Sequence, residues 1–294
     1  MKPMKSGKLL LRALVFLMTP VAAVAADAPS LTFHFASVNV PGAVHTNPRG
    51  INNASVIVGA YGDASLQIHG FKLQGSKFTT IDDPNGNSTI CQKINKNGAI
   101  VGQYTVPGTG TVGFLYKNGT FTDIPGPAGS TGASAYGIND NEDIVGFYLD
   151  STGAEHGFLL RGATYTTLDV PGATASAASS INNNGNVVLV WLNSKTGAIE
   201  SSFYNGKTYR TIDVPGAQGS VALGLDNAGD VVYQWNAANN LLHGALRHGG
   251  KFYKFDFPHS PQTYAAGIND GQVIVGGYQL KKNGRFHGYK ASYK

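Results

Sequence analysis

The sequence predicts an all-β fold, a six-bladed β-propeller with four strands in each blade. Three observations support this fold. A Gly-Ile-Asn motif recurs along the chain, each repeat has room for four short strands, and a strand absent from the last repeat is found near the start of the chain. No segment shows the sustained periodicity of an amphipathic helix. We therefore expect a single propeller domain over residues 27–294.

The repeat has a nearly constant length. The Ile of the motif aligns at six positions: Ile51, Ile94, Ile138, Ile181, Leu225 and Ile268. The intervals between these positions are 43 or 44 residues. A period of this length, kept over six copies, indicates a repeat architecture and matches the size of a propeller blade.

Each repeat contains the pattern of four strands. In the third copy, the first strand ends at Ile138, the second is the apolar run 144–148, the third begins at His156 and the fourth covers residues 165–169. Asn-Gly pairs such as Asn205-Gly206 supply the positive φ that two-residue hairpins require. β-branched and aromatic residues fill the strands. These features predict a four-stranded antiparallel meander in every copy.

The ends of the chain predict how the ring closes. The last copy stops after its third strand, at residues 287–294, while residues 35–43 match residues 165–173 position for position. We therefore expect the N-terminal strand to complete blade six, which would leave no exposed sheet edge. A linear solenoid is the alternative architecture, and it would need polar caps at both ends.

Residues 1–26 have the layout of a signal peptide. A basic segment precedes the apolar run 13–26, which ends in small residues before Asp27. Cleavage is expected after Ala25 or Ala26. A membrane anchor is the weaker alternative, because the run is short and Pro20 interrupts it. The protein is thus predicted to be secreted, or to reside in the periplasm or cell envelope, with no membrane span.

The charge of the chain after the leader excludes some partners. Residues 1–26 hold four of the 22 basic residues, which leaves 18 against 17 acidic residues. No cluster of Lys and Arg suggests binding to nucleic acid or to an anionic membrane. The single cysteine, Cys91, cannot form an intramolecular disulfide, so stability must come from burial and ring closure. We expect a monomer with no cofactor and no metal.

The Gly-Ile-Asn, Ile-Val-Gly-x-Tyr and His-Gly-Phe elements together resemble the HAF family of extracellular repeats in bacteria. The resemblance covers essentially the whole chain after the leader. It implies a secreted or envelope protein, and it brings no established activity, substrate or catalytic residues.

The repeated polar residues are interpreted as structural. A His begins the third strand in four copies: His69, His156, His243 and His287. An Asp precedes the Pro turn in four copies, where it is expected to accept backbone N–H bonds: Asp82, Asp169, Asp213 and Asp256. Equivalent residues of different blades are spread around the ring and cannot meet in one site. Residues 139–143 resemble a calcium loop superficially but lack its Gly and final Glu, so a turn is predicted.

The candidate binding residues break the repeat near the channel. The position two residues before the motif Ile is expected to line the channel and is polar in the first three blades, at Arg49, Gln92 and Tyr136. The other three blades have Ser179, Leu223 and Ala266 there. The loops between the fourth and first strands and between the second and third strands share one face of the propeller, which we call the loop face. We hypothesise that the channel has a polar opening on this face, lined by His45, Arg49, Gln92, Tyr136, His259 and Tyr264. The alternative is that these are ordinary channel and loop residues, since loops also vary without function.

The leading functional interpretation is a non-enzymatic propeller that acts as a binding or scaffold module for a glycan or protein partner through its loop face. No Gly-x-Ser-x-Gly elbow, His-Glu-x-x-His motif or phosphate-binding loop occurs. The alternative is a metal-dependent hydrolase of the lactonase or esterase type. That activity would need Asp, Glu, Asn or His side chains from several blades that converge over the channel, and the assigned channel positions contain no acid.

Overall fold

The computed structural model describes residues 31–108 and 110–294. All regular secondary structure in these residues is β-strand, in six antiparallel sheets of four strands. The first strands of neighbouring sheets contact one another in a closed circle around a central channel. This arrangement confirms the predicted six-bladed β-propeller. Within the described ranges, no helix is long and apolar enough to cross a membrane.

The N-terminal strand is β1 (Phe33–Val38). Blades one and two consist of β2 (His45–Ile51), β3 (Ile57–Gly62), β4 (Ile68–Gln74) and β5 (Lys77–Ile81), then β6 (Ser88–Ile94), β7 (Ile100–Val106), β8 (Gly110–Lys117) and β9 (Thr120–Ile124). Blades three and four consist of β10 (Gly132–Ile138), β11 (Ile144–Leu149), β12 (Glu155–Arg161) and β13 (Thr164–Thr167), then β14 (Ala173–Ile181), β15 (Val187–Asn193), β16 (Ile199–Tyr204) and β17 (Tyr209–Thr211). Blade five consists of β18 (Gly219–Leu225), β19 (Val231–Asn236), β20 (Leu242–His248) and β21 (Lys251–Phe255). Blade six contains β22 (Thr263–Ile268), β23 (Val273–Gln279) and β24 (Phe286–Tyr293).

Strand β1 supplies the fourth strand of blade six, as predicted. It pairs with β24 in antiparallel register from Phe33 opposite Tyr293 to Val38 opposite Gly288. The two ends of the described chain therefore meet in one sheet, and ring closure needs no disulfide. The predicted signal peptide, residues 1–26, lies outside the described residues.

The hydrophobic core is divided among the contacts between blades. Six clusters of buried side chains each lie between one pair of neighbouring blades. Between blades five and six, for example, Leu246 packs with Ile274 and Tyr289, and all three are fully buried. Because each blade buries both faces against its neighbours, the second strands are almost wholly apolar.

In five of the six blades, the motif asparagine joins its blade to the next at the end of the channel opposite the loop face. In blade four the Oδ1 of Asn182 accepts the N–H groups of Asn184 and Asn186 at 3.1 and 3.0 Å, which closes the turn. Its Nδ2 donates to the carbonyl oxygen of Asp226 in blade five at 2.9 Å. The corresponding bond to the next blade is made by Asn52, Asn95, Asn139 and Asn269. These side chains form a buried circle of links that we call the asparagine ring.

Blade five interrupts the asparagine ring because its motif residue is Asp226. A carboxylate has no N–H to donate, so among the described residues the link from blade five to Asn269 of blade six is the missing one. Burial, together with the nearby carboxylates of Asp230 and Asp270, raises the pKa of Asp226 to about 6. This position therefore holds a partly desolvated charge where every other blade has an amide.

Replacing Asp226 by Asn is expected to stabilise the protein by about 1 kcal/mol near pH 7, after allowance for solvent screening. The amide would supply the missing donor and remove the charge. Since the folded pKa lies above the unfolded value of 3.8, the carboxylate destabilises the fold increasingly as pH rises from about 4 to about 6. The gain should thus be smallest below about pH 4 and complete above about pH 6. Thermal unfolding of both proteins across this range measures it.

The control for that substitution is Glu142→Gln, which removes a carboxylate from the surface of the equivalent turn in blade three. Its effect should stay within about 0.5 kcal/mol, because exposed ion pairs contribute little. A gain from Asp226→Asn that did not vary with pH, or a loss of stability, would contradict the explanation.

Three of the four repeated His residues are paired with a repeated Asp of the same blade. Nδ1 of His69 lies 2.7 Å from the carboxylate of Asp82, which also accepts the N–H of Gly70 at 3.1 Å. The same His–Asp pairing, at 2.8 Å, is found in His156–Asp169 and His243–Asp256. These contacts support the structural interpretation for three blades, and in blade four Asp213 accepts the N–H of Ser201 at 2.7 Å, as expected. Residues 139–143 likewise form the predicted turn.

Candidate ligand-binding site in the central channel

One residue in the first strand of every blade projects at the channel because the strand carries a β-bulge there. In blade one, the pairing of β2 with β3 shifts between Pro48 and Gly50, which leaves Arg49 unpaired. The same shift in the other blades occurs at Gln92, Tyr136, Ser179, Leu223 and Ala266. A bulge bends its strand and redirects the side chain of the extra residue. The channel positions predicted from the repeat thus coincide with the bulge residues of all six blades.

The loop end of the channel contains a cavity of about 340 Å³. Blades one and two contribute polar side chains to its lining: Asn47, Arg49, Gln92 and Lys93. Blades three, five and six contribute mainly aromatic and aliphatic side chains: Tyr136, Val221, Leu223, Leu242, Tyr264 and Phe286. Ser179, Gln234 and Ala266 complete the lining. The volume is within the range of small-molecule sites, and the two kinds of wall lie in different blades.

Four of the six predicted site residues meet in this cavity. Arg49, Gln92, Tyr136 and Tyr264 line it, whereas His45 and His259 do not. The ring of His45 lies over Gly62, opposite which it pairs in blade one. His259 is exposed in the turn before β22 with a φ of 60°, the left-handed conformation that Gly172 and Gly216 adopt in the equivalent turns.

Hydrogen bonds hold the polar wall in place. Nη1 of Arg49 donates to Oε1 of Gln92 at 3.3 Å, which links blades one and two. The hydroxyl of Tyr264 donates to Oδ1 of Asn47 at 3.0 Å, which links blades six and one. Burial raises the pKa of Tyr264 to about 12, so the phenol stays neutral and can act as a donor. The polar wall of blades one and two is therefore fixed, and joined to blade six, before any ligand binds.

Lys93 is a cavity residue that the sequence analysis did not identify. It stands one position before the motif Ile, where four of the other blades have glycine: Gly50, Gly137, Gly224 and Gly267. Backbones approach closely at this level, since a Cβ on Gly267 would lie 2.7 Å from the carbonyl oxygen of Arg49. The sequence did indicate this residue, because a lysine replaces the glycine of four other copies. The replacement lies next to the position that the sequence analysis assigned to the channel, two residues before the motif Ile.

The electrostatic character of the cavity is cationic. Its lining contains Arg49 and Lys93 and no Asp or Glu. Burial, and then the charge of Arg49, lower the pKa of Lys93 to about 7. In the described part of the chain, no group of three or more His, Cys, Asp or Glu side chains is placed to hold a metal ion. The cavity can therefore bind a ligand through hydrogen bonds and charge on the wall of blades one and two, and through apolar contact on the wall of blades three, five and six.

No family model matches the chain, and no curated protein sequence matches it. Similarity is found among solved structures. A mutant of Aleuria aurantia lectin in complex with Fucα1-6GlcNAc is similar with a TM-score of 0.52 and 12% identity, over 86% of this chain and 96% of that chain. SapL1 lectin in complex with α-methyl fucoside is similar with a TM-score of 0.56 and 11% identity, over 84% of this chain and 92% of that chain.

A third similar structure is TolB from Acinetobacter baumannii, with a TM-score of 0.56 and 10% identity over 82% of this chain and 67% of that chain. At such identities the likeness shows the propeller fold alone. The functional conclusion has to come from the side chains of this protein.

Proposed function

We propose that the protein is a non-enzymatic glycan-binding propeller that holds its ligand in the loop-end cavity. The observation that carries the proposal is the composition of the cavity, with hydrogen-bond donors on one wall and aromatic and aliphatic groups on the other. A sugar ring matches both walls, because its hydroxyl groups need polar partners and its C–H face packs on aromatic rings. The lectins among the similar structures, determined with fucosyl ligands, add support for a glycan.

The proposal includes a place of action outside the cytoplasm. The signal-peptide layout of residues 1–26 and the resemblance to HAF repeats both support secretion or residence in the cell envelope. Surface and extracellular glycans would be accessible to the protein there.

The hydrolase alternative gains no support from the cavity. A metal-dependent lactonase or esterase would need carboxylate, imidazole or amide ligands from several blades at the channel, and Asn47 alone does not supply such a set. The described lining contains no Asp, Glu or His, and the repeated His–Asp pairs lie apart from one another in their own blades.

Combining Arg49→Gln with Tyr136→Leu is expected to weaken glycan binding at least about tenfold, equivalent to about 1.4 kcal/mol. The first change removes the guanidinium that bonds to Gln92. The second keeps most of the apolar volume but removes the ring that stacks on Phe147 at 5.5 Å. Binding is measured by screening the purified protein on a panel of neutral, fucosylated and acidic glycans and then titrating the best ligand.

The matched control is Arg210→Gln, which removes an exposed guanidinium from the outer strand of blade four. It should bind like the unsubstituted protein. Equal binding by the double variant, once thermal unfolding has shown it to be folded, would place the site elsewhere. Absence of binding to every glycan on the panel would refute the proposed function itself.

A further inference from the structure

Lys93 places an ammonium group at the floor of the loop-end cavity. Its Nζ donates to the carbonyl oxygens of Arg49 in blade one at 2.9 Å and of Ala266 in blade six at 3.0 Å. The side chain therefore extends from blade two across the channel to blade six. Lys93 also lines the opening at the opposite end of the channel, so it lies where the two spaces meet.

Two donors at this floor are left for a ligand. A lysine ammonium has three N–H groups, and the described contacts of Lys93 use two of them. Nε of Arg49 is buried and has no hydrogen-bond partner among the described residues, while Nη1 is bonded to Gln92. A buried cationic donor without a partner costs free energy that an acceptor can offset. Both unused donors belong to cations that line the same cavity.

No protein anion in the cavity balances these charges. The titratable groups that line it with Lys93 are Arg49, Tyr136 and Tyr264. From the opposite opening Lys93 faces Lys96, Asp140, Asp226 and Asp270. Several of those carboxylates are already engaged in the turns, for example Asp270 with Asn53 and Asn227 at 2.7 Å. The loop-end cavity thus presents a local excess of positive charge, although the chain as a whole is nearly neutral after the leader.

We propose that the cavity recognises an acidic saccharide, whose carboxylate binds between Arg49 and Lys93 while its sugar ring packs against Tyr136, Leu223 and Phe286. This inference rests on the proposed glycan-binding function and specifies the class of ligand. A planar carboxylate has two oxygens, and the floor offers two unused donors, one from each cation. A tetrahedral sulfate or phosphate would keep at least one oxygen without a donor there. A neutral sugar would leave both charges uncompensated.

Recognition of a carboxylate makes binding dependent on pH. Burial and the charge of Arg49 lower the pKa of Lys93 to about 7 in the free protein. A bound carboxylate would raise that pKa, so binding is accompanied by proton uptake. Affinity should therefore be greatest when Lys93 is protonated, below about pH 7, and should fall as pH rises through the pKa of the free protein.

The test compares two ligands that differ in one group, methyl α-D-glucuronide and methyl α-D-glucoside. Isothermal titration of the full protein at about pH 6 should show at least about a tenfold preference for the glucuronide, and the preference should shrink at about pH 8.5 as Lys93 loses its proton. In Lys93→Met the preference should fall, and its pH dependence should disappear, because Arg49 remains as the only cation of the pair. Arg49→Gln, which leaves Lys93 in place, should reduce the preference while its pH dependence persists. Lys77→Met, at an exposed position of β5, should retain both.

The outcomes separate this inference from the proposed function. Equal binding of glucuronide and glucoside would overturn the inference and leave a glycan-binding propeller. Equal binding of propionate and the glucuronide would overturn it as well, because the site would then recognise a carboxylate without the sugar. Tighter binding of glucose 6-sulfate than of the glucuronide would reject the carboxylate. If neither sugar nor any glycan on the panel bound, the proposed function would fail together with the inference.

Discussion

Removal of strand β1 is expected to abolish cooperative folding of the propeller. The strand contributes Phe33, which lies 4.4 Å from Phe255 between ring centroids, and Phe35, which packs edge-on against Tyr289 at 5.4 Å. It also buries Val38. Each of these side chains contributes about 1–2 kcal/mol by burial, and the sum is comparable with the about 5–15 kcal/mol that stabilises a typical domain.

The loss would extend beyond those contacts. Without β1, the whole length of β24 becomes an edge strand with unpaired N–H and C=O groups, and open edges promote aggregation. A chain that begins at residue 44 should therefore show no sharp thermal transition by circular dichroism and should elute as aggregates. A chain that begins at residue 31 is the matched control and should unfold like the full protein. An unchanged unfolding midpoint in the shorter chain would show that ring closure does not depend on β1.

Asn182→Ala is expected to destabilise the protein by about 3 kcal/mol. The side chain is 4% exposed, and it makes two bonds that close its turn and one that reaches blade five. Alanine would leave two backbone N–H groups and one buried carbonyl without these partners. Chemical or thermal unfolding measures the difference in the free energy of unfolding.

Asn182→Asp separates the two roles of that side chain. Aspartate keeps the acceptor for the turn but removes the donor to blade five, which is the situation found naturally at Asp226. Its cost should be smaller than that of alanine at about pH 4 and should increase toward pH 7 as the carboxylate ionises. Equal costs for the two substitutions at every pH would mean that the acceptor that closes the turn contributes little beyond the link between blades.

Much of the fold was predictable from the sequence because every blade of a propeller repeats the same pattern of strands and turns. The position of the motif Ile, the Asn-Gly turns and the match between residues 35–43 and 165–173 each report a local requirement of a blade. The structure confirms the number of blades and the closing strand. It also shows that Asp82 and its equivalents bond to the third strands of their own blades, as in Asp82 with Gly70 and Asp213 with Ser201, although Asp213 also bonds to Ser220 of blade five.

The candidate site was predictable only in part. The repeat gave the angular position of Arg49, Gln92 and Tyr136 around the channel, since each is the bulge residue of its blade. It could not show that His259 belongs to an exposed turn, because its local signal was simply the loss of a glycine. At the position of His259, other blades use glycine because the turn requires a left-handed φ. At the position of Lys93, other blades use glycine because the backbones of neighbouring blades approach closely there.

The sequence by itself determined the class of fold, the six blades and their closure, because these depend on patterns repeated within about 43 residues. Only the tertiary structure decided which side chains meet. Lys93 bonds to a carbonyl that is 173 positions away, and Tyr264 bonds to Asn47 across 217 positions. Such contacts exist because ring closure brings blades one, two and six together and because bulges turn individual side chains toward the axis. A repeat specifies where each residue lies in its blade, but the direction and depth of its side chain depend on neighbours that belong to other blades.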